Sequence, residues 1–240
     1  MEIRAYSYTN RGGRDHNEDS LRASAEQGVF VLADGLGGHG RGEVASALAV
    51  DTLFTAMTQT GELDGERLLA LFQSANEEIL RQQAQPDQAE MRTTSVALKL
   101  TGDTAVWAHI GDSRLYRFSN GELAEVTQDH SVTYRKFLGG EISYMDVYHD
   151  DDRSRLLRVL GKEPCRPEAG SAPVSPGDAF LLCSDGFWEY VYNEEMQADL
   201  LKSETPAAWV QSMLLRHIRR TPPGNDNFSA IAVFVEEEHV

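Results

Sequence analysis

Four carboxylates in this chain stand at the edges of short apolar runs, each beside a Gly, Ser or Asn. They are Asp34, Asp112, Asp185 and Asp226. A carboxylate at a strand end is held rigidly, and an adjacent glycine lets backbone carbonyls approach a bound ion. Oxygen ligands without cysteine or paired histidine suit a hard divalent cation, Mg²⁺ or Mn²⁺ rather than Zn²⁺. The pattern therefore predicts a fold that gathers distant strand ends around a metal-dependent active site.

The net charge excludes one broad class of function. It is -16 over 240 residues, whereas the phosphate backbone of nucleic acid is bound by basic faces that release counterions. Nucleic acid is therefore not an expected partner. Part of the acidity can simply serve solubility, and the rest can concentrate cations near the site.

The cysteines and the hydropathy of the chain indicate the cellular compartment in which the protein is expected. Cys165 and Cys183 have no metal-ligand spacing and indicate no disulfide framework, so we interpret them as structural thiols in a reducing compartment. The first residues lack the apolar core of a signal peptide, and no uncharged apolar stretch approaches the length of a membrane span. We expect a soluble, cytoplasmic protein with no membrane association, and we expect it to be a monomer.

Hydrophobic periodicity predicts a mixed chain of strands and helices. The expected strands cover residues 2–9, 28–33, 179–183 and 228–235, and the expected helices cover 42–58, 65–83, 193–202 and 206–219. Residues 93–126 combine strand-like runs with turn sequences such as Asn120-Gly121, which predicts a β-meander. Hairpin-linked strands with helices before and after favour antiparallel sheets covered by helices over a doubly wound parallel sheet. Without a repeat or a flexible linker, one domain over residues 1–240 is expected.

The segment from residue 129 to 161 interrupts this pattern. It consists of short, polar, poorly periodic pieces and includes Gly139-Gly140 and Asp150-Asp151-Asp152. A long irregular segment inside a compact domain is usually functional or mobile. Its aromatic residues among charges are suited to gripping a polypeptide. The alternative is a variable surface loop with no selective role.

Two further motifs are weak when taken alone. Arg14 lies close to Glu18 and Asp19, so a guanidinium fork that matches phosphate oxygens stands beside hard-cation ligands. Such a segment alone is more often a charged surface loop. The Gly-rich residues 34–40 resemble a phosphate cradle, but their spacing is neither a Walker A loop nor a dinucleotide fingerprint. Each Asp-Gly or Asn-Asp pair alone is a common turn. All of them together, each beside an apolar strand, are not expected by chance.

The complete set of motifs resembles that of the metal-dependent Ser/Thr protein phosphatases of type 2C, the PPM family, and most closely its compact bacterial members. The matching segments, in the family's order, are Arg14-Asp15-His16-Asn17-Glu18-Asp19, Asp34-Gly35-Leu36-Gly37-Gly38-His39-Gly40-Arg41-Gly42-Glu43, Arg92-Thr93-Thr94-Ser95, Gly111-Asp112-Ser113-Arg114, Asp129-His130-Ser131, Ser184-Asp185-Gly186 and Asp226-Asn227. The resemblance covers essentially the whole chain. It implies an α+β fold, an α-β-β-α sandwich of two face-to-face antiparallel sheets flanked by helices, with metals at one end. It also implies that residues 129–161 form a flap beside the metals, and we call this segment the flap.

The resemblance further implies a centre of two Mn²⁺ or Mg²⁺ ions, with a third, weaker ion. Asp34 would bridge the two ions, and the Gly35 carbonyl would bind the second. Asp185 and Asp226 would complete the first. Asp112, together with Asp185, resembles the pair that holds the third ion in bacterial relatives.

The remaining site residues follow from the same resemblance. Glu18 and Asp19 would bind the waters of the metals, and Arg14 would clamp the phosphate. A metal-activated water would attack phosphorus directly, which agrees with the absence of a Cys-x₅-Arg loop. Animal members carry His after the Asp-Gly pair, where this chain has Leu36. His39 is then the nearest candidate general acid, although a capping or packing role is favoured for it and a metal-bound water is the alternative acid.

The implied function is dephosphorylation of phosphoserine and phosphothreonine in proteins, in opposition to a bacterial Ser/Thr kinase. The expected partners are phosphorylated protein substrates, including such a kinase and its targets. Two alternatives stay open. A pseudophosphatase would bind phosphoproteins or sense a signal without turnover, and the intact Asp34, Asp185 and Asp226 count against it. A phosphomonoesterase acting on small molecules is also compatible with the site chemistry.

Overall fold

The computed structural model describes residues 1–36, 41–85 and 87–238. In chain order, the strands of these residues are β1 (Glu2–Asn10), β2 (Asp19–Ser24), β3 (Val29–Leu36), β4 (Arg92–Thr93), β5 (Ser95–Thr101), β6 (Thr104–Ile110), β7 (Arg114–Ser119), β8 (Glu122–Val126), β9 (Glu168–Pro173), β10 (Ala179–Cys183) and β11 (Phe228–Glu236). The helices are α1 (Gly42–Gln59), α2 (Gly65–Gln82), α3 (Val132–Leu138), α4 (Asp185–Trp188), α5 (Asn193–Leu200) and α6 (Pro206–Arg220), and a 3₁₀ helix covers Tyr144–Tyr148.

The strands form two antiparallel sheets. One sheet has the order β1-β11-β10-β7-β8, and the other has the order β2-β3-β5-β6-β9 with β4 paired to the end of β3. Alternate residues of the strands pack between the sheets, as with Phe30 and Leu32 of β3, which share one buried cluster with Phe180 and Leu182 of β10. The expected pair of face-to-face sheets is confirmed.

The opposite faces of both sheets are covered by helices. Val29 and Val31 of β3 pack in one cluster with Leu53 of α1 and Phe72 of α2. On the other side, Trp209 of α6 belongs to the cluster that covers the first sheet, with its ring 5.3 Å from that of Phe118. The order of layers is therefore helix, sheet, sheet, helix, as the resemblance implied. Because the inner strands are buried on both faces, they read as continuous apolar runs.

Two of the long helices, α2 and α6, begin at side-chain caps. Asp64 accepts a hydrogen bond from the Arg67 N–H across 2.8 Å at the start of α2. Thr205 accepts one from the Ala208 N–H across 3.0 Å at the start of α6, where Pro206 occupies the first helical position. These caps satisfy backbone donors that the first turn leaves unpaired.

The structure departs from the sequence-based expectation in three places. The predicted meander over residues 93–126 is split, because β5 and β6 belong to one sheet and β7 and β8 to the other. The flap is not entirely irregular, since it contains α3 and the 3₁₀ helix. Strands β2 and β9 were not predicted. Both are edge strands with exposed, polar residues, so neither produces an apolar run.

Several strands bring their predicted site residues to one end of the sandwich. Asp34 near the end of β3 pairs in register with Asp19 at the start of β2. Ile110 at the end of β6 pairs with Ser95 at the start of β5. β10 ends beside the start of β11, where Cys183 pairs with Ala230. No helix of the described residues is both long and apolar enough to cross a membrane.

Candidate metal centre

A cavity of about 470 Å³ opens at this end of the sandwich. Its walls include Arg14, Glu18, Asp34, Gly35, Asp112, Asp185 and Asp226. These are predicted site residues, and the fold brings them together from the beginning, middle and end of the chain. Asp19 lies beneath them, while His39 lies outside the described residues.

The backbone of Asp34 is fixed from the neighbouring β4–β5 segment. Its N–H donates to the Thr94 hydroxyl across 3.1 Å, and its carbonyl accepts from the Thr93 hydroxyl across 2.7 Å and from the Thr94 N–H across 2.9 Å. Because both backbone groups are bonded, the sheet sets the direction in which the Asp34 side chain leaves the strand. The sequence motif contained both threonines, but their role as supports was not predicted.

Gly35 is required by close approach of the backbone. A Cβ atom there would collide with the Gly42 carbonyl and with the Glu18 carbonyl, to which the Gly35 N–H donates across 3.1 Å. A Cβ on Gly42 would in turn collide with the Glu18 carboxylate. The two glycines thus let α1 begin directly against the carboxylates.

Asp19 is held from behind by two hydroxyl groups. Its Oδ2 accepts from Ser184 across 2.9 Å and from Ser229 across 2.6 Å. Its Oδ1 is buried and has no hydrogen-bond partner among the described residues. The two serines were not predicted to contribute, although each lies within three residues of a predicted ligand.

Asn227 joins the segments that carry Glu18 and Asp226. Its side-chain carbonyl accepts from the Glu18 N–H across 2.8 Å, and its amide group donates to the Arg11 and His16 carbonyls, each across 2.9 Å. A Cβ on Gly186 would collide with the Asn227 carbonyl, so this glycine is needed where α4 meets β11. No role was predicted for Asn227 from the sequence, and its position next to Asp226 was the signal available.

Asp112 follows Gly111, at the point where the chain crosses from β6 to β7. Its carbonyl accepts from the Trp188 indole N–H across 2.9 Å. The Arg114 guanidinium lies over the Trp188 ring at 3.4 Å and forms two 2.7 Å hydrogen bonds with the buried Asp129 carboxylate. This buried network supports the backbone of Asp112, and the Asp112 side chain lies in the cavity wall.

Crowding and burial raise the pKa values of the clustered carboxyls. Burial is the main cause for Asp34 and Asp112, whose pKa values lie well above the ordinary range, and nearby carboxylates add to it. Burial also raises the pKa of Asp19 to about 7, against the hydrogen bonds from its two serines. The pKa of Asp185 is raised by burial and by the nearby Asp226 carboxylate. Either protons or cations must therefore balance this cluster.

The donor set fits hard divalent cations. The buried Asp185 Oδ1, like Asp19 Oδ1, has no hydrogen-bond partner in the described part of the chain, although buried oxygens are normally satisfied. Carboxylate and carbonyl oxygens on a rigid frame are the ligands that Mg²⁺ and Mn²⁺ prefer. The predicted ligand roles of individual residues stay predictions.

Arg14 stands at the rim of the cavity. Its Nη2 donates to Asp226 Oδ2 across 2.9 Å, and both side chains are about half exposed. The guanidinium is therefore placed beside a predicted ligand and faces the space that a substrate phosphate would enter. Its role as the phosphate clamp stays a prediction.

A second group of potential ligands lies apart from this cavity. His109, His130 and Glu168 offer atoms within 4.8 Å of one another. The Arg158 guanidinium already occupies this place, with Nη1 at 2.6 Å from Glu168 Oε1 and 3.2 Å from His130 Nε2. The Gly111 N–H donates to His130 Nδ1. A neutral imidazole then keeps its proton on Nε2 and has no lone pair there for a metal. We therefore do not assign a metal to this group.

The flap supplies part of the cavity wall through Ser154 and Leu156. Its aromatic residues were expected to grip a polypeptide, but Tyr148 and Tyr134 are buried in the core of the first sheet. The Tyr148 hydroxyl donates to Asn193 across 3.0 Å, which ties the flap to α5. The aromatic residues thus anchor the flap, because their apolar rings find more burial against the sheet than in solvent.

The chain is similar to known protein phosphatases. The family model for protein phosphatase 2C matches residues 8–219. The chain is 37% identical over 207 residues to a serine/threonine phosphatase stp of Listeria monocytogenes, with 82% of each chain covered. The crystal structure of the serine/threonine phosphatase PstP/Ppp of Mycobacterium tuberculosis matches with a TM-score of 0.89 at 30% identity, covering 99% of this chain and 100% of that one. The PstP catalytic domain in complex with two manganese ions matches with a TM-score of 0.87 at 30% identity, covering 98% and 99%.

Proposed function

Because the chain belongs to the protein phosphatase 2C family, we propose that it hydrolyses phosphoserine and phosphothreonine in proteins with the help of Mn²⁺ or Mg²⁺. The observation that carries this proposal is the cavity in which Asp34, Asp112, Asp185 and Asp226 meet beside Arg14. An anion-binding guanidinium next to a cluster of hard-cation ligands suits a phosphate ester.

The carboxylates have the task of holding the cations. Asp34 would bind both ions, the Gly35 carbonyl would bind the second, and Asp185 with Asp226 would bind the first. When bound, the two ions supply Lewis acidity that activates water and stabilises the attacking and leaving oxygens of an in-line displacement. The strand-end positions of the ligands, together with the backbone hydrogen bonds of Asp34, would keep them in place while the substrate turns over.

The other side chains position the reactants. Arg14 would bind the phosphoryl oxygens, and its half-exposed pair with Asp226 leaves the guanidinium free to reorient at little cost. Glu18 and Asp19 would accept hydrogen bonds from water around the ions. Asp112 would hold a further, weaker cation together with Asp185, since the charge of Asp185 already acts on it.

Other aspects of the function are proposed on the resemblance alone. We expect the substrates to be targets of a bacterial Ser/Thr kinase, and we expect a monomer in the cytoplasm. The pseudophosphatase alternative is not favoured, because Asp34, Asp185 and Asp226 are present and line one cavity.

The decisive experiment measures phosphate release from phosphothreonine and phosphoserine peptides. The purified protein should be active with added Mn²⁺ or Mg²⁺ and inactive after exhaustive chelation, and the Asp34→Asn variant should serve as the negative control. Full activity in chelator would refute the metal dependence. Activity on small phosphate esters alone would favour the phosphomonoesterase alternative.

A further inference from the structure

His130 contacts both backbone groups of Gly111, the residue before Asp112. The His130 N–H donates to the Gly111 carbonyl across 2.9 Å. The Gly111 N–H donates back to His130 Nδ1 across 3.2 Å. His130 itself is buried, with 6% of its surface exposed. A single residue thus fixes both hydrogen-bonding groups of the turn that leads into the cavity wall.

The backbone conformation and the packing of Gly111 are tightly constrained. Its φ of 99° is a conformation that L side chains rarely adopt, and a Cβ there would lie 2.6 Å from Thr94 Cγ2. Thr94 also bonds the backbone of Asp34, and its hydroxyl shares a 2.7 Å hydrogen bond with the Ser113 hydroxyl. The turn therefore packs against Thr94, the residue that also orients Asp34. A shift of Gly111 would move Asp112 relative to Asp34.

The hydrogen bond from Gly111 determines the tautomer of His130. A backbone N–H can only donate, so Nδ1 must keep its lone pair and the single proton of the neutral ring lies on Nε2. In the other tautomer Nε2 could accept from Arg158, but that guanidinium already has Glu168 Oε1 and the Arg166 carbonyl as acceptors. Among the described residues, the Gly111 N–H has His130 Nδ1 as its acceptor.

His130 lies at the start of the flap and also connects this turn to the end of the flap. Its carbonyl accepts from the Leu157 N–H across 2.7 Å, and the adjacent Ser131 forms an isolated β-bridge with Leu156. Leu156 lies in the cavity wall. The side of the cavity that holds Asp112 and the side formed by the flap are therefore held by the same residue.

We propose that His130 is a positioning residue for Asp112, acting through the Gly111 hydrogen bonds, with the ring as acceptor in its Nε2–H form. This proposal rests on the function proposed above for Asp112 as the ligand of a weaker cation. If His130 lost its acceptor, the buried Gly111 N–H would be unsatisfied, which costs far more than a typical hydrogen bond contributes. The turn would then relax, and Asp112 would bind its cation less well.

Two variants of His130 distinguish the role of its hydrogen-bond acceptor, Nδ1, from the role of its ring in packing. His130→Phe keeps a ring beside His109, whose ring stacks on that of His130 at 4.6 Å, but removes the acceptor. His130→Asn places a carbonyl oxygen on Cγ, where Nδ1 stood, and keeps the acceptor. In metal-free protein, we expect exchange of the Gly111 amide hydrogen to accelerate about tenfold or more in the Phe variant and to stay near wild type in the Asn variant. Equal exchange in both variants would overturn the proposal.

A second readout uses Mn²⁺ and an aryl phosphate. The Mn²⁺ concentration for half-maximal turnover should rise about tenfold in His130→Phe and less than about twofold in His130→Asn. In an Asp112→Ala background, the Phe substitution should have no further effect on this concentration, because both changes remove the same interaction. An equal effect of His130→Phe in both backgrounds would show that His130 does not act through Asp112.

The proposed function and the proposed role of His130 can be refuted independently of each other. A wild-type protein without phosphatase activity would refute the proposed function, while amide exchange would still decide whether His130 holds Gly111. If the Phe variant does not fold, the ¹⁵N imidazole spectrum of the wild type decides instead. A proton on Nε2 is the expected result, and a proton on Nδ1 would overturn the proposal.

Discussion

The Arg14 guanidinium donates a hydrogen bond to the Asp226 carboxylate across 2.9 Å at the rim of the cavity. The exposed fractions of the two side chains are 56% and 49%, so the pair is well solvated. Exposed ion pairs contribute little to stability. The contact therefore places Arg14 at the entrance of the cavity but holds it there only weakly. A substrate phosphate can replace Asp226 as the hydrogen-bond partner of Arg14.

Replacing Arg14 should impair anion binding more than cation binding. We expect Arg14→Ala to raise KM for a phosphopeptide and the inhibition constant of inorganic phosphate about 10- to 100-fold, since charge-assisted hydrogen bonds to phosphate are lost. Mn²⁺ binding measured by calorimetry should change by less than about threefold, as an exposed pair is removed. Arg14→Lys should recover part of the phosphate affinity. An unchanged inhibition constant would show that Arg14 does not contact the phosphate.

Removal of any one of the three carboxylates predicted to hold the first two ions should nearly abolish turnover without unfolding the protein. Asp34→Asn, Asp185→Asn and Asp226→Asn should each reduce turnover by roughly three orders of magnitude, because cation contributions amount to several kcal/mol. Asp178→Asn is a matched control. Asp178 is also buried, and it accepts hydrogen bonds from Ser119 and from the Ser175 N–H outside the cavity. Its variant should lose stability and keep turnover, whereas normal turnover in Asp34→Asn with full metal occupancy would refute the bridging role.

The raised carboxyl pKa values predict how metal-free stability depends on pH. The folded state raises the pKa of Asp19 from 3.8 to about 7, so it favours the protonated form. Stability from this group is complete below about pH 4 and is lost as the pH rises through 7. Asp34 and Asp112 shift in the same direction. In chelator, Tm should therefore fall between pH 5 and pH 8.

Cations should remove most of this dependence, because they balance the same carboxylates. With saturating Mg²⁺, the fall in Tm over this range should be much smaller. Asp34→Asn should also flatten the metal-free profile, since it removes a like charge beside Asp19. Parallel profiles with and without Mg²⁺ would contradict a cation site at these residues.

Much of this fold could be predicted from sequence because its inner strands are buried on both faces. β3, β10 and β11 are nearly continuous apolar runs, so their positions and the site residues at their ends were visible. The edge strands β2 and β9 give no such signal, since half of their surface faces solvent. The split of the predicted meander was missed because Gly111–Ser113 looks like an ordinary turn in the sequence. Only the pairing of the strands shows that this segment crosses between the sheets.

Most residues predicted as ligands line one cavity, whereas the residues that support them were largely missed. Carboxylates next to glycine carry a chemical signature, but Ser184, Ser229 and Asn227 act through contacts with residues far away in the chain. Serine and asparagine occur in many loops for local reasons. Nothing local distinguishes those that support a buried carboxylate. His130 belongs to the Asp129-His130-Ser131 motif, and its hydrogen bonds to Gly111 became evident only in the structure.

The flap allows a test of protein recognition that leaves its anchors intact. Tyr148 is buried and bonded to Asn193, so deletion of the flap would damage the fold as well as any docking surface. Leu138 and Met145 are instead exposed, at 63% and 47%, in the segment that also supplies Ser154 and Leu156 to the cavity wall. These two side chains are the better probes.

We expect the double variant Leu138→Ala, Met145→Ala to lower kcat/KM for a phosphoprotein about fivefold, since truncation of useful interface residues typically costs about 1 kcal/mol. Turnover of an aryl phosphate should not change, because a small substrate does not reach beyond the cavity. Leu215→Ala with Ile218→Ala is the matched control, as both residues are similarly exposed on α6, at 62% and 67%. Equal loss on both substrates would mean that the flap only supports the fold. Equal loss in the control pair would mean that general surface hydrophobicity, and not the flap, determines binding of the phosphoprotein.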